Sequence, residues 1–305
     1  MRATAMGAAA ESRSTSTVTV RELLLELTEQ LAGSGVFERP DAEAGELVAA
    51  LLDQPRWWPR LNVTTSIDTS LRERALAAAT NRMRGAPLAY CVGRAAFRRL
   101  TLQVDERVLI PRVETEQLVD VALSLVGSAG GGVAVDVGTG SGAIALSLAT
   151  EAAFDRVIAT EVSLDALAVA RRNAERLRDS LRTTVEFRHG SLLAPVQDVR
   201  PRLVISNPPY IANPEASVLP SSVRDWEPPV ALLSGADGLR ATARLVREAA
   251  ERLTPGGALM LEVDSRRAGA VGDLAAADER LTTVKVLRDL TGRDRFVVAR
   301  RKEDG

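Results

Sequence analysis

The chain has 305 residues, with 39 Lys plus Arg against 40 Asp plus Glu and a formal net charge of −1, so affinity for a partner does not rest on general phosphate neutralisation. A single cysteine, Cys91, and a single histidine, His189, exclude an internal disulfide, a thiolate zinc cluster and a metal site built on histidines alone, and a Ser-His-Asp triad would have to use that one histidine. The length is enough for two domains of ordinary size.

The opening MRATAMGAAAESRSTST has no sustained apolar stretch of the kind a signal peptide needs. Residues 1–17 are expected to form a disordered tail. No run approaches the ~20 apolar residues of a membrane helix, and a cytoplasmic protein is expected. Residues 18–87 read as a helical N-terminal domain. Thr19 and Glu22 have capping-box spacing ahead of a stripe at Val20, Leu23, Leu24, Leu27 and Leu31. A second helix fits Asp41–Asp53 and a third Leu71–Arg84, while Pro55 and Pro59 break the pattern between them. Trp57 and Trp58 are expected to pack that connection. Residues 88–112 switch to short β-type runs around Gly93, which predicts a β-hairpin linker.

From residue 113 to 305 helix and strand alternate. Strands are predicted at Val133–Val137, Val157–Glu161, Thr184–Phe187, Leu203–Ser206, Ala258–Val263, Thr283–Leu287 and Arg295–Arg300, with helices including Ala143–Glu151, Leu164–Arg178 and Leu239–Leu253. Such alternation predicts an α/β domain with a mostly parallel, seven-stranded Rossmann-like sheet. The RDLTGRD connection is too short for a crossover helix, so the last two strands should be antiparallel. This pattern is that of a class I methyltransferase.

VAVDVGTGSGAIALSLA joins the first of these strands to its helix. Glycines at 138, 140 and 142 let the backbone turn tightly and approach a ligand. Alone, this is also what an ordinary tight turn looks like, and the G-x-G-x-x-G dinucleotide spacing is not met. Glu161 ends the second strand 23 residues after Gly138, where an acidic side chain reaches ribose hydroxyls, while Ser163 is placed to cap the next helix. The pair favours an adenosyl ligand. S-adenosylmethionine has no pyrophosphate to cradle, and the candidate loop for it is Gly138, Thr139, Gly140, Ser141 and Gly142.

SNPPYI follows the fourth strand. A carboxamide nitrogen is a poor nucleophile, so an enzyme that methylates one must hold the NH₂ in line with the leaving group. The Asn207 side-chain oxygen and the Pro208 carbonyl are suited to accept its two hydrogens, and the Pro208-Pro209 pair makes the loop rigid. The Tyr210 ring would pack on the planar target and favour a cationic methyl. An Asn-Pro turn with Tyr210 in the core is the plain alternative.

At this point the sequence resembles the HemK/PrmC family of protein-(glutamine-N5) methyltransferases, over nearly all of the chain after residue 18. The resemblance is carried by PLAYCVG, VLIPRVETEQLV, VDVGTGSGAIALSLA, SNPPYI, EPPVALLSGADGL and DLTGRDRFVVAR. It implies methylation of the glutamine of the Gly-Gly-Gln motif in class 1 peptide chain release factors. It also implies that Asn207 through Tyr210 hold that glutamine, that Gly138–Gly142, Glu161 and Asn207 hold the cofactor, and that the N-terminal domain helps dock a large protein. In the family pattern Ser191 stands where an aspartate is common, with Leu192 as an apolar wall for the adenine. Val113, Glu161, Asp264 and Arg267 also depart from that pattern, and the changes at Val113, Asp264 and Arg267 motivate an alternative: a paralogue acting on a small amide or amino acid in specialised metabolism. Adenine-N6 methylation of nucleic acid uses a similar NPPY loop, but the near-zero net charge speaks against stable nucleic-acid binding. A cofactor-binding module without turnover is the non-enzymatic alternative.

Overall fold

The structure, a computed structural model, describes residues 17–127 and 130–304; residues 1–16 of the expected tail lie outside the described residues. The chain divides between Val92 and Gly93 into two units. No helix among the described residues is long and apolar enough to cross a membrane.

The first unit contains helices α1 (Val20–Ala32), α2 (Pro40–Leu52), α3 (Trp58–Leu61), α4 (Thr69–Met83) and α5 (Leu88–Val92), with a two-residue strand pair, β1 (Val18–Thr19) and β2 (Ser66–Ile67). The capping box is present: Thr19 N donates to Glu22 Oε2 at 2.7 Å, and Thr19 Oγ1 accepts from Glu22 N at 3.3 Å. Val20, Leu23, Leu27 and Leu31 then bury one face of α1 against Ala44, Leu47, Val48 and Leu51 of α2 and Leu71, Ala75, Ala78 and Ala79 of α4. Asp53 closes α2 in the left-handed region, φ 59°. Of the two tryptophans, Trp58 packs on this core, whereas Trp57 is 59% exposed and does not pack the connection. Pro59 sits at the second position of α3, where its missing N–H has no helical partner to lose.

Two expectations for residues 88–112 change. Leu88–Val92 is helical, because the Pro87 carbonyl accepts from both Tyr90 N and Cys91 N at 3.1 Å. The hairpin is confined to β3 (Arg94–Phe97) and β4 (Leu100–Gln103), and residues 104–112 form no strand. Nor is the hairpin a free linker. Phe97, Leu100 and Leu102 are buried in the core of the second unit, and Arg98 ties its turn to Glu151 at 2.7 Å and to the Glu116 carbonyl at 2.8 Å.

The rest of the second unit is built on α6 (Val113–Val126), β5 (Val133–Val137), α7 (Ala143–Glu151), β6 (Arg156–Glu161), α8 (Leu164–Leu177), β7 (Val185–His189), β8 (Leu203–Ser206), the short α9 (Ser221–Arg224) and α10 (Pro229–Leu232), α11 (Arg240–Arg252), β9 (Ala258–Glu262), α12 (Ala268–Ala276), β10 (Leu281–Arg288) and β11 (Asp294–Arg301). Among the described residues the sheet has seven strands in the order β10-β11-β9-β8-β5-β6-β7; β11 is antiparallel to both neighbours and the other pairs are parallel. Both faces are covered. Ala134 of β5 joins a core with Leu118, Val119 and Ala122 of α6 and Ala145, Leu148 and Ala149 of α7, while Val135 and Val137 face Leu245, Val246 and Ala249 of α11 and Val271 of α12. The chain passes from β5 to β6 on one side and returns to β8 on the other, so a crevice opens beyond the carboxyl ends of β5 and β8. The glycine loop and SNPPYI both leave the sheet there.

Candidate active site

The strand β5 is apolar except for Asp136, which is wholly buried. Its Oδ2 accepts from Thr139 Oγ1 at 2.6 Å and from Ala145 N at 3.1 Å, which clamps the glycine loop to the first turn of α7. Burial pushes the Asp136 carboxyl up to about 7 against these two hydrogen bonds, and the nearby charge of Glu161 adds to the rise. Asp136 escaped the sequence analysis; its signal was a lone charge inside VAVDV, a strand otherwise fit for full burial.

The loop adopts positive φ at Gly138 (72°), Gly140 (55°) and Gly142 (87°). A Cβ at 138 or 140 would meet no atom within 4 Å, so the backbone there faces open space. At Gly142 it would meet Leu146 Cδ1 at 3.0 Å, so that glycine serves packing instead. The side chains of Thr139 and Ser141 are likewise buried, and Asn173 Nδ2 holds the Ser141 carbonyl at 2.9 Å. Thr139, Ser141 and Gly142 therefore shape the loop, while Gly138 and Gly140 line the cleft.

That cleft has a volume of about 710 Å³ and is lined further by Glu161, Ser191, Leu192, Asn207 and Pro209, with Pro228–Ala231 and Leu233 forming one wall. Glu161 is 8% exposed, and its carboxylate accepts from Gly140 N at 3.0 Å, Val162 N at 2.9 Å and Ser163 N at 3.0 Å. It thus joins the glycine loop to the start of α8 and still keeps acceptor capacity for a ligand, since two carboxylate oxygens offer about four lone-pair sites. Ser163 caps α8 through Ala166 N, as its position suggested. Leu192 lines the cleft at φ 51°, an uncommon conformation for a bulky side chain, and Arg244 Nη1 reaches Ser191 Oγ at 3.4 Å. Arg244 was not foreseen, because its position depends on how α11 crosses the sheet.

The SNPPYI loop is held at both ends. Ser206 Oγ donates to the Val137 carbonyl at 2.6 Å; Ile211 N donates to the Leu232 carbonyl and Ser234 N to the Ile211 carbonyl, each at 2.9 Å. Asn207 faces the glycine-lined cleft and also lines a smaller cavity of about 100 Å³ with Tyr210, Arg112, Ile211 and Val223. Leu109 and Ala231 share this dividing wall, and the polar side chain in it is that of Asn207. Pro208 is buried and lines neither cavity. Burial pushes the Tyr210 phenol well above its ordinary value, and it stays neutral. Arg112 closes the small cavity by pairing with the buried Glu227 at 2.6 Å.

The departures at Val113, Asp264 and Arg267 lie off the cleft lining. Val113 is the first residue of α6 and 65% exposed. Arg267 bonds Glu215 at 2.8 Å and the Asp237 carbonyl at 2.7 Å and faces Asp264 at 3.4 Å, which closes an ion-pair cluster behind the loop.

Sheet order, a glycine loop after the first parallel strand and an Asn-Pro-Pro-Tyr loop after the fourth together define a class I methyltransferase. Residues 117–219 match the family described as Methyltransferase small domain. The fold is shared with the hMettl16 catalytic domain, solved in complex with the MAT2A 3'UTR hairpin 6, at a TM-score of 0.52 and 19% identity over 79% of this chain and 86% of that one. Release factor glutamine methyltransferases are far more similar in sequence. That of Moorella thermoacetica is 40% identical over 289 residues, 94% of this chain and 100% of its own length. Those of Gloeobacter violaceus and Deinococcus radiodurans are 39% and 37% identical, over 88% and 92% of this chain and 93% and 98% of their own. The chain belongs to the release factor glutamine methyltransferase family, and it is a methyltransferase.

Proposed function

We propose that this protein uses S-adenosylmethionine to methylate the side-chain nitrogen of the glutamine in the Gly-Gly-Gln motif of a class 1 peptide chain release factor. The observation that carries the reading is the position of Asn207, in the wall between the glycine-lined cleft and the small cavity of Tyr210. The cleft lies within the usual size range of small-molecule sites. It fits the cofactor: open space over Gly138 and Gly140, a buried acceptor at Glu161, and Leu192 and Pro209 as apolar walls. When bound there, S-adenosylmethionine supplies an electrophilic methyl on a sulfonium. The target carboxamide enters from the other side of Asn207. Asn207 Oδ1 and the Pro208 carbonyl take its two N–H bonds, which aims the nitrogen and moves electron density toward it as positive charge develops. Tyr210 packs on the amide plane without ionising. The surplus proton leaves after transfer, so no strong base is needed first.

The helical unit acts, in this reading, as the docking element for the body of the protein substrate. It carries exposed apolar side chains at Leu25, Trp57 and Leu61. The departures that motivated a small-amide paralogue sit in a satisfied ion-pair cluster and at an exposed helix start, away from the cleft, so they supply no reason to change the substrate. The test is methyl transfer to a purified release factor, read by intact mass. Asn207→Ala should lower kcat by roughly 10²–10³-fold, the cost of removing one aimed polar group, with S-adenosylhomocysteine binding retained. Absence of a mass shift with a folded, cofactor-binding enzyme would reject the reading.

A further inference from the structure

Asn207 is not held by its own loop alone. Its Nδ2 donates to Thr115 Oγ1 at 3.1 Å, and Thr115 Oγ1 donates to Glu262 Oε2 at 2.6 Å. Thr115 lies in the first turn of α6 and is 4% exposed; Glu262 is the last residue of β9 and is 1% exposed. The three groups are separated by 92 and 147 residues in the chain and meet only in the fold.

We propose that Thr115 and Glu262 are positioning residues that decide which way the Asn207 carboxamide faces. A hydroxyl has one hydrogen. With that hydrogen committed to the Glu262 carboxylate, Thr115 offers Asn207 lone pairs only. Asn207 must then turn its NH₂ toward Thr115, which leaves Oδ1 as the atom presented to the target. The opposite orientation would place a carbonyl oxygen against the hydroxyl's lone pairs and an NH₂ against the target's own NH₂, two unfavourable contacts at once. The carboxylate thus acts at a distance of two hydrogen bonds, without touching substrate or cofactor.

The same relay makes the orientation sensitive to the charge on Glu262. Burial raises its carboxyl to about 7, against the lowering effects of the Thr115 hydrogen bond and of Arg295 on β11 and Arg112 before α6; Glu114 on α6 raises it further. The neutral Tyr210 phenol also lies near it. Once protonated, Glu262 can donate to Thr115, the hydroxyl hydrogen is freed for Asn207 Oδ1, and the amide can reverse. The orienting effect is therefore present above about pH 7 and lost as pH falls through it.

The experiment uses the full chain labelled with ¹⁵N. The Asn207 side-chain amide pair is assigned by its disappearance in Asn207→Asp, and its solvent exchange is measured at pH 8. Thr115→Val, which keeps the shape and removes the hydroxyl, should speed that exchange roughly tenfold or more, since one buried hydrogen bond is lost. Thr115→Ser should restore protection. Glu262→Gln, which offers a donor as well as an acceptor, should also speed exchange, and it decides the matter if the valine variant does not fold. Unchanged exchange in either variant overturns the proposal.

The kinetic arm rests on the methyl-transfer reading. With a release factor as substrate, Thr115→Val should lower kcat roughly 10- to 100-fold with the KM for S-adenosylmethionine unchanged. Glu262→Gln should remove the rise of kcat through about pH 7. A pH profile in Glu262→Gln identical to wild type overturns the proposal. If the wild-type enzyme modifies no release factor, the function is misread, and the exchange measurement still judges the relay.

Discussion

Gly238 offers the sharpest test of how the SNPPYI loop is held. It has φ +78°, and a Cβ added there would lie well inside contact distance of the Tyr210 carbonyl oxygen and 2.5 Å from Arg267 Nε. Arg267 could swing aside, although it would give up its bond to the Asp237 carbonyl. The Tyr210 carbonyl is backbone and cannot move without carrying the loop. For Gly238→Ala, the left-handed conformation costs about 1–2 kcal/mol once a Cβ is present, and overpacking adds about 1–3 kcal/mol. The sum is about 2–5 kcal/mol. At ~2–4 °C per kcal/mol for a unit of this size, melting should fall by roughly 4–20 °C. A displacement of about 1 Å at Tyr210 would lower turnover by about 10²-fold even below the melting transition. The assay pairs thermal denaturation with initial rates at a temperature where both proteins are folded. Gly45→Ala is the control: Gly45 lies inside α2, its Cβ would meet nothing within 4 Å, and alanine there should stabilise by about 0.5–1 kcal/mol. Wild-type melting and wild-type rates in Gly238→Ala would refute the claim that this glycine sets the loop.

Other residues make separate predictions. Glu161→Gln turns one of three backbone-facing acceptor contacts into a donor clash, and affinity for S-adenosylhomocysteine, measured by calorimetry, should fall about tenfold or more. An unchanged Kd would mean that the loop does not need the carboxylate. Asp136 predicts a pH effect on stability. Its folded value of about 7 lies above its ordinary 3.8, so between those values the folded protein holds a proton that the unfolded chain has released. This contribution is complete below pH 3.8 and disappears as pH rises through 7. In urea titrations across that window, Asp136→Asn should lose less stability with rising pH than wild type does, and parallel curves would exclude the buried carboxyl as the source.

Much of the candidate site's geometry was legible in the chain itself. Glycine at 138 and 140, the carboxylate ending β6 and the amide after β8 are local signals, and a parallel sheet places the ends of its strands at one rim whatever the details of packing. The capping box at Thr19 and Glu22 is local too, and the antiparallel closing strands follow from the short connection between Arg288 and Asp294. Local signals also misled. LAYCV has strand-forming residues but follows Pro87, whose carbonyl starts a helical turn, and Trp57 has the composition of a packed residue without a place in the core. What the sequence could not express were partners distant in the chain. Thr115 and Glu262 look like ordinary helix-start and strand-end residues until α6 and β9 meet at Asn207. The sequence by itself determined the chemistry available at each strand end, because composition and spacing set backbone freedom and donor type. Only the tertiary structure decided which way those groups face, because the direction of a side-chain hydrogen bond depends on neighbours that the fold, not the order of residues, brings together.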